Sequence, residues 1–370
     1  MVTVTVDQPV TVARLTVGSP GFPVTLAVST APLTVNEFLH VDSGSQITLA
    51  GSVLTLNTFG EVLSGGTIAQ SGSSQLLGDA PLVSAGSYSW SGGSRGGMGT
   101  TTIGAGATMI IDPISQTTTD PSRTLINEGT IIRNGGNGAR TDLNGPFHNR
   151  GTLVIAPPSA SVPWISMNGG GTHTGAMDIA PSSFLRIAGG LHVFESTSSF
   201  PNAGRLEITG GEMNVAARGS DLFINEVSMP ATGVMSGPGN RSIAIFNFGG
   251  GTLTGTGTTT ITGTMTIADA APPRIIGSHT ISNLGTINHT TSTAINADTA
   301  AIVNAGNLNV GPAPLTIGSL SLIGGALSGS GLVTVLSSFS WSGGAMNGPG
   351  STTIANTVSS SLITGTGART

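Results

Sequence analysis

The chain lacks cysteine and lysine, has one tyrosine, and draws only 8% of its 370 residues from Asp, Glu, Lys and Arg. Each absence excludes something. Without cysteine there is neither a structural disulfide nor a thiolate metal site. The basic residues are twelve arginines scattered from Arg14 to Arg369, and the net charge is −5. No dense basic face can therefore neutralise phosphates, which excludes a nucleic-acid partner, or dock on anionic lipid. No apolar run approaches the ~18 residues that a membrane helix needs, so no membrane insertion is expected. Apolar residues nowhere recur at helical spacing over a dozen positions. The opening MVTVTVDQPVTV has neither the basic start nor the apolar core of a signal peptide.

What is present is glycine, 57 residues, together with 38% hydrophobic residues. Disordered Gly-rich chains lack such aliphatic content, so this chain can bury apolar surface and fold. Short alternating runs dominate: Val2 to Val6, Val10 to Val12, Leu15 to Val17, Val24 to Val28, Ile47 to Leu49, Leu54 to Leu56 and Thr264 to Ile267. They read as β-strands of three to five residues, each ended by Gly, Asn, Pro or Ser.

Two phrases recur. YSWSGGSRGGMGTTTI (Tyr88 to Ile103) returns as FNFGGGTLTGTGTTTI (Phe246 to Ile261) and FSWSGGAMNGPGSTTI (Phe339 to Ile354). Its aromatic pairs are Tyr88 and Trp90, Phe246 and Phe248, Phe339 and Trp341. The second phrase is apolar-x-Asn-x-Gly-x-apolar, at Asn127/Gly129, Asn149/Gly151, Asn202/Gly204, Asn283/Gly285 and Asn304/Gly306, with a degraded copy at Asn225. Adjacent copies lie about 22 residues apart. Gly99 to Ile103 and Gly257 to Ile261 match, as do Asn127 and Asn283, and Asn149 and Asn304. This spacing indicates duplication of a block of about 156 residues (about 88–245 and 246–370).

A period of 20–25 residues with short strands and no helix predicts an all-β fold: a single-stranded parallel β-helix, or β-solenoid, of about 17 coils running continuously over 1–370. One coil cannot pair its own backbone or bury its own side chains; a stack does both. Asn at matching corners would form a hydrogen-bonded ladder and accept left-handed backbone, and Gly two residues on would open the next bend. A β-propeller would need four strands per ~40–50 residues with a regular aromatic signature. A membrane β-barrel would need ~10-residue strands and aromatic girdles.

The phrase from Phe339 to Ile354, its copy from Tyr88 to Ile103 and the Asn-Gly coils resemble the repeat regions of large bacterial surface adhesins, the filamentous-haemagglutinin and autotransporter-passenger class. The resemblance implies a right-handed β-helix, secreted or at the cell surface, that acts as a rod and multivalent binding surface. A cell-surface or polysaccharide ligand and end-to-end self-association follow as expected partners. It also implies a fragment of a longer exported chain, with signal and anchor elsewhere.

The rival reading is a carbohydrate-active β-helix enzyme, a polysaccharide lyase or hydrolase. It needs paired carboxylates about 5–10 Å apart. The nearest candidates are Asp120, Glu128 and Asp142, with Arg123 and Arg140; turn contexts favour exposed loop charge. Glu207 and Glu212 read as outward strand residues. The six histidines (His40, His148, His173, His192, His279, His289) share no metal-ligand spacing and read as coil-surface residues. No catalytic residue, metal site or cofactor is expected. The Thr-x-Thr run from Thr252 to Ile267 reads as outward strand threonine. Trp90, Trp164 and Trp341 could be sugar platforms, but their apolar neighbours favour core packing.

Overall fold

The computed structural model describes residues 2–113, 117–119, 122–134, 140–157, 162–230, 232–268, 274–275, 277–292, 294–355 and 360–363. Among them there is no helix. Every strand pairing is parallel, so the chain is a β-solenoid. It divides into two compact units, Met1–Arg186 and Ile187–Thr370.

In the first unit each coil contributes one strand to a nine-stranded parallel ladder, from Val2–Thr5 to Ala176–Ile179. Successive members such as Thr108–Ile111, Thr130–Arg133 and Thr152–Ile155 pair in register. Two more ladders close the coil. One includes Thr100–Ile103, Thr124–Asn127 and Phe147–Asn149. The other includes Gln75–Leu77, Ser94–Arg95, Thr117–Thr119, Thr141–Leu143 and Trp164–Met167. Alternation sends Ile68, Met109, Ile111, Leu125, Ile131, Leu153 and Ile155 to the interior, each at most 2% exposed. Burying one such side chain contributes about 1.5–3 kcal/mol, and each coil covers its neighbour's.

Longer strands also occur, Val10–Val17 and Leu33–Val41 at the start of the first unit and more of them in the second. Arg241–Phe248, Thr258–Ile267, Ile295–Asn304, Leu315–Leu322 and Leu332–Trp341 are strands of 8 to 10 residues. These exceed the three to five residues expected. They turn the corner through register shifts, as between Ile243 and Ile245 or Ile317 and Ser319. A bulge bends a strand while keeping its flanks paired, so a glycine at the bend, such as Gly263 or Gly318, does not end the strand.

Candidate functional site: interior ladders and outward columns

The Asn-Gly phrases build interior corners. Asn127 Nδ2 donates to Asn149 Oδ1 at 2.7 Å and to the Thr152 carbonyl at 3.0 Å. Asn149 Nδ2 donates in turn to the Ala176 carbonyl at 2.9 Å. In the second unit Asn283 Nδ2 donates to Asn304 Oδ1 at 2.7 Å and to the Asn307 carbonyl at 2.9 Å. All four are fully buried. Asn202 is exposed, although Gly204 is buried. Beyond Asn149 the register position passes to His173.

The corner does not use left-handed asparagine. Among the described residues only Ser182 is a non-glycine with positive φ. The asparagines end extended strands, and their amides satisfy carbonyls of the next coil. Gly129, Gly151, Gly285 and Gly306 likewise have no positive φ. They are glycine because a Cβ would meet the carbonyl of the coil below: Gly129 O at 2.1 Å from position 151, Gly263 O at 2.0 Å from 285 and Gly285 O at 2.0 Å from 306. Left-handed glycines sit instead in the first phrase, at Gly93 (φ 84°), Gly251 (φ 82°) and Gly344 (φ 81°).

The aromatic pairs point inward. Tyr88, Trp90, Phe246 and Phe248 are at most 1% exposed and Phe339 is 4% exposed. Trp341 is partly covered and donates from Nε1 to the Gly344 carbonyl at 3.3 Å. Trp164 departs from the core reading. It neighbours the inward Ile165 and so faces outward, half-buried, stacked on Phe184 at 5.3 Å. The guanidiniums of Arg186 (4.4 Å) and Arg140 (5.9 Å) lie against the same indole.

The histidines also depart from expectation. His173, His192, His279 and His289 are at most 1% exposed; only His40 and His148 lie toward the surface. Strand alternation carries the four inward. His279 stands against Arg241 Nη2 at 3.3 Å and Thr259 Oγ1 at 3.0 Å. Burial, and secondarily the Arg241 charge, push its pKa down to about 3. Burial likewise pushes Arg241 down to about 9. The first unit repeats the arrangement with arginine in place of histidine: Arg123 Nε donates to Thr101 Oγ1 at 3.1 Å, and its other nitrogens reach the carbonyls of Gly78, Gly96, Ala80 and Thr100.

The carboxylates considered for catalysis are dispersed. Arg123 is inside, Glu128 pairs outside with Arg150 at 2.9 Å, and Asp142 pairs with Arg140 at 2.8 Å. Asp120 lies outside the described residues. Glu207 pairs with Arg205 at 2.7 Å and Glu212 accepts from Ser236. No group of three His, Asp or Glu side chains among the described residues is placed to hold a metal.

The outward surface instead carries columns of small polar groups. Ser338 Oγ donates to Ser319 Oγ and Ser340 Oγ to Ser321 Oγ, both at 2.8 Å. Asn57 Nδ2 donates to Asn36 Oδ1 at 2.8 Å and Asn168 Nδ2 to Asn144 Oδ1 at 2.7 Å. A scan against protein-family models and searches of curated proteins and of solved structures find no match.

The sequence reading missed four buried arginines: Arg95, Arg123, Arg133 and Arg241. For Arg95 a signal was present, since it occupies a position that is apolar in both other copies of its phrase.

Proposed function

We propose that the chain is a structural and adhesive β-solenoid of a bacterial surface or secreted repeat protein. The observation that supports this best is the recurrence of outward Ser, Thr and Asn in register from coil to coil. Thr260 and Ser282 are one such pair, and Ser321 and Ser340 another, in a column that Val303 interrupts. Equivalent hydroxyls and amides thus recur at the strand spacing of about 4.8 Å. A surface of this kind meets a repetitive partner, such as a polysaccharide, through many weak hydrogen bonds that add by multivalency. The stacked backbone keeps the groups in place, so little ordering cost falls on binding.

A glycan-binding array run beside a reducing-sugar assay over a polysaccharide panel tests this. Retention of extended glycans with strong dependence on chain length, and no release of reducing ends, is the expected result. Release of reducing ends, or of unsaturated products, would replace the adhesive role with a carbohydrate-active enzyme.

A further inference from the structure

Three copies of one phrase build the same corner, and one copy is chemically different there. Aligned residue by residue, Arg95 falls opposite Leu253 and Met346. Ser94–Arg95, Thr252–Leu253 and Ala345–Met346 are each a two-residue strand following the glycine corner. Leu253 is fully buried, as such a position demands, and Arg95 is just as buried at 1% exposure.

The guanidinium lies over the Trp90 ring at 4.1 Å and near Tyr88 at 5.8 Å. Stacking occupies its face and leaves its in-plane N–H groups to find acceptors. Nε, Nη1 and Nη2 have no hydrogen-bond partner among the described residues. Trp90 Nε1, Ser74 Oγ and Ser84 Oγ are buried and likewise without a partner. Trp90 belongs to the same coil as Arg95. Ser74 precedes Gln75, the register partner of Ser94, and Ser84 closes the coil below. All of these groups can donate, and one is a cation.

Among the described residues nothing nearby balances the charge; Asp120, next to Thr119, the register partner of Arg95, lies outside them. Tyr88 donates its hydroxyl to Gln70 Oε1 at 2.6 Å, and burial raises its pKa, so it stays neutral. Arg123 adds a second interior cation, but one whose nitrogens meet four carbonyls and a hydroxyl. Glu61, Asp79 and Asp112 are on the outside of their coils. An uncompensated guanidinium in such surroundings costs several kcal/mol, and buried donors left without acceptors cost more.

We propose that the interior of the first unit binds one small inorganic anion, chloride in ordinary salt, against the in-plane N–H groups of Arg95. Trp90 Nε1, beneath the guanidinium, and the hydroxyl of Ser74, whose carbonyl accepts from Ser94 N at 3.0 Å, supply further donors from the same coil and the one below. Because Arg95 is sealed from solvent, the ion enters as the coils close and exchanges only when they open. Its binding free energy is then folding free energy.

The experiment is to unfold the protein, refold it in bromide as the only halide, and collect anomalous diffraction at the bromine edge. A single bromide peak beside the Arg95 guanidinium is expected. Water at that place after refolding, in bromide and in chloride alike, would overturn the proposal. Arg95→Leu copies the residue that the second phrase buries at the same corner, Leu253. It should fold, lose the bromide peak, and lose any difference in melting temperature between chloride and the bulky gluconate ion at matched ionic strength. The wild-type protein should melt higher in chloride; equal halide dependence in both proteins would also overturn the proposal. The result does not depend on what the outer surface binds.

Discussion

Single side chains decide the corners of this fold. Asn149 accepts from Asn127, donates to the Ala176 carbonyl and has no exposure. Asn149→Ala leaves buried groups on both sides without partners, which costs about 1–3 kcal/mol. Asn57→Ala, whose bond to Asn36 is at the exposed surface, should stay within about 0.5 kcal/mol; urea unfolding of the two variants checks the contrast. His279 supplies a pH dependence with a definite sign. Its folded pKa of about 3 lies below the ordinary 6.5, so below pH 6.5 the unfolded chain binds the proton and the folded chain does not. Stability from this group is full above pH 6.5 and is lost as pH falls toward 3. His279→Gln should flatten that part of the curve of denaturation midpoint against pH, and an unchanged slope would contradict the assignment. The Asn-Gly phrase was readable in the sequence because the same two residue types recur at one period. The reason for it was not: asparagine serves a hydrogen bond between coils and glycine a close backbone approach, and both depend on the neighbouring coil. Histidine was misread for a related cause. A lone polar residue in an alternating run gives no sign of whether the interior offers it partners, and Thr259 and Arg241 do so only once the coils are stacked.

At the scale of strands, each element is held from both sides. Thr100–Ile103 pairs below with Leu82–Ser84 and above with Thr124–Asn127. Thr102→Pro removes a ladder N–H from a central strand and should cost about 3 kcal/mol or more, read as a lowered denaturation midpoint. Val2–Thr5 differs, because it pairs only with Val24–Val28 among the described residues, and Val2 and Val4 are exposed at 64% and 50%. An open, apolar edge of this kind recruits another strand. Light scattering should show association rising with concentration, and Val4→Lys should suppress it; a monomer at all concentrations would contradict this. Strand identity was legible throughout from period-two alternation. Strand length was legible where Gly, Asn or Ser ends each run, as at Thr130–Arg133. It was not legible in Thr258–Ile267, because the register shift there carries the strand through Gly263 instead of ending it.

For the molecule as a whole, the parallel coil stack followed from the period of the repeats, while no pattern in the sequence marked a division after Arg186. The outward columns of Ser, Thr and Asn that support an adhesive role depend on that stacking, since residues some twenty apart become neighbours only when coils lie in register. Thr130 and Thr152 are such partners in the first unit, and Thr286 and Asn307 in the second. Their Cα atoms should stand about 5 Å apart, within the range that a disulfide spans. The chain has no cysteine of its own, so a pair of introduced cysteines reports cleanly. Thr130→Cys with Thr152→Cys should close an intramolecular disulfide in nearly every molecule under mild oxidation, and so should Thr286→Cys with Asn307→Cys. Thr130→Cys with Ala176→Cys, two coils apart, should not close. Failure of the first two pairs to bridge, or bridging of the third as readily, would contradict the stacked coils on which everything else rests.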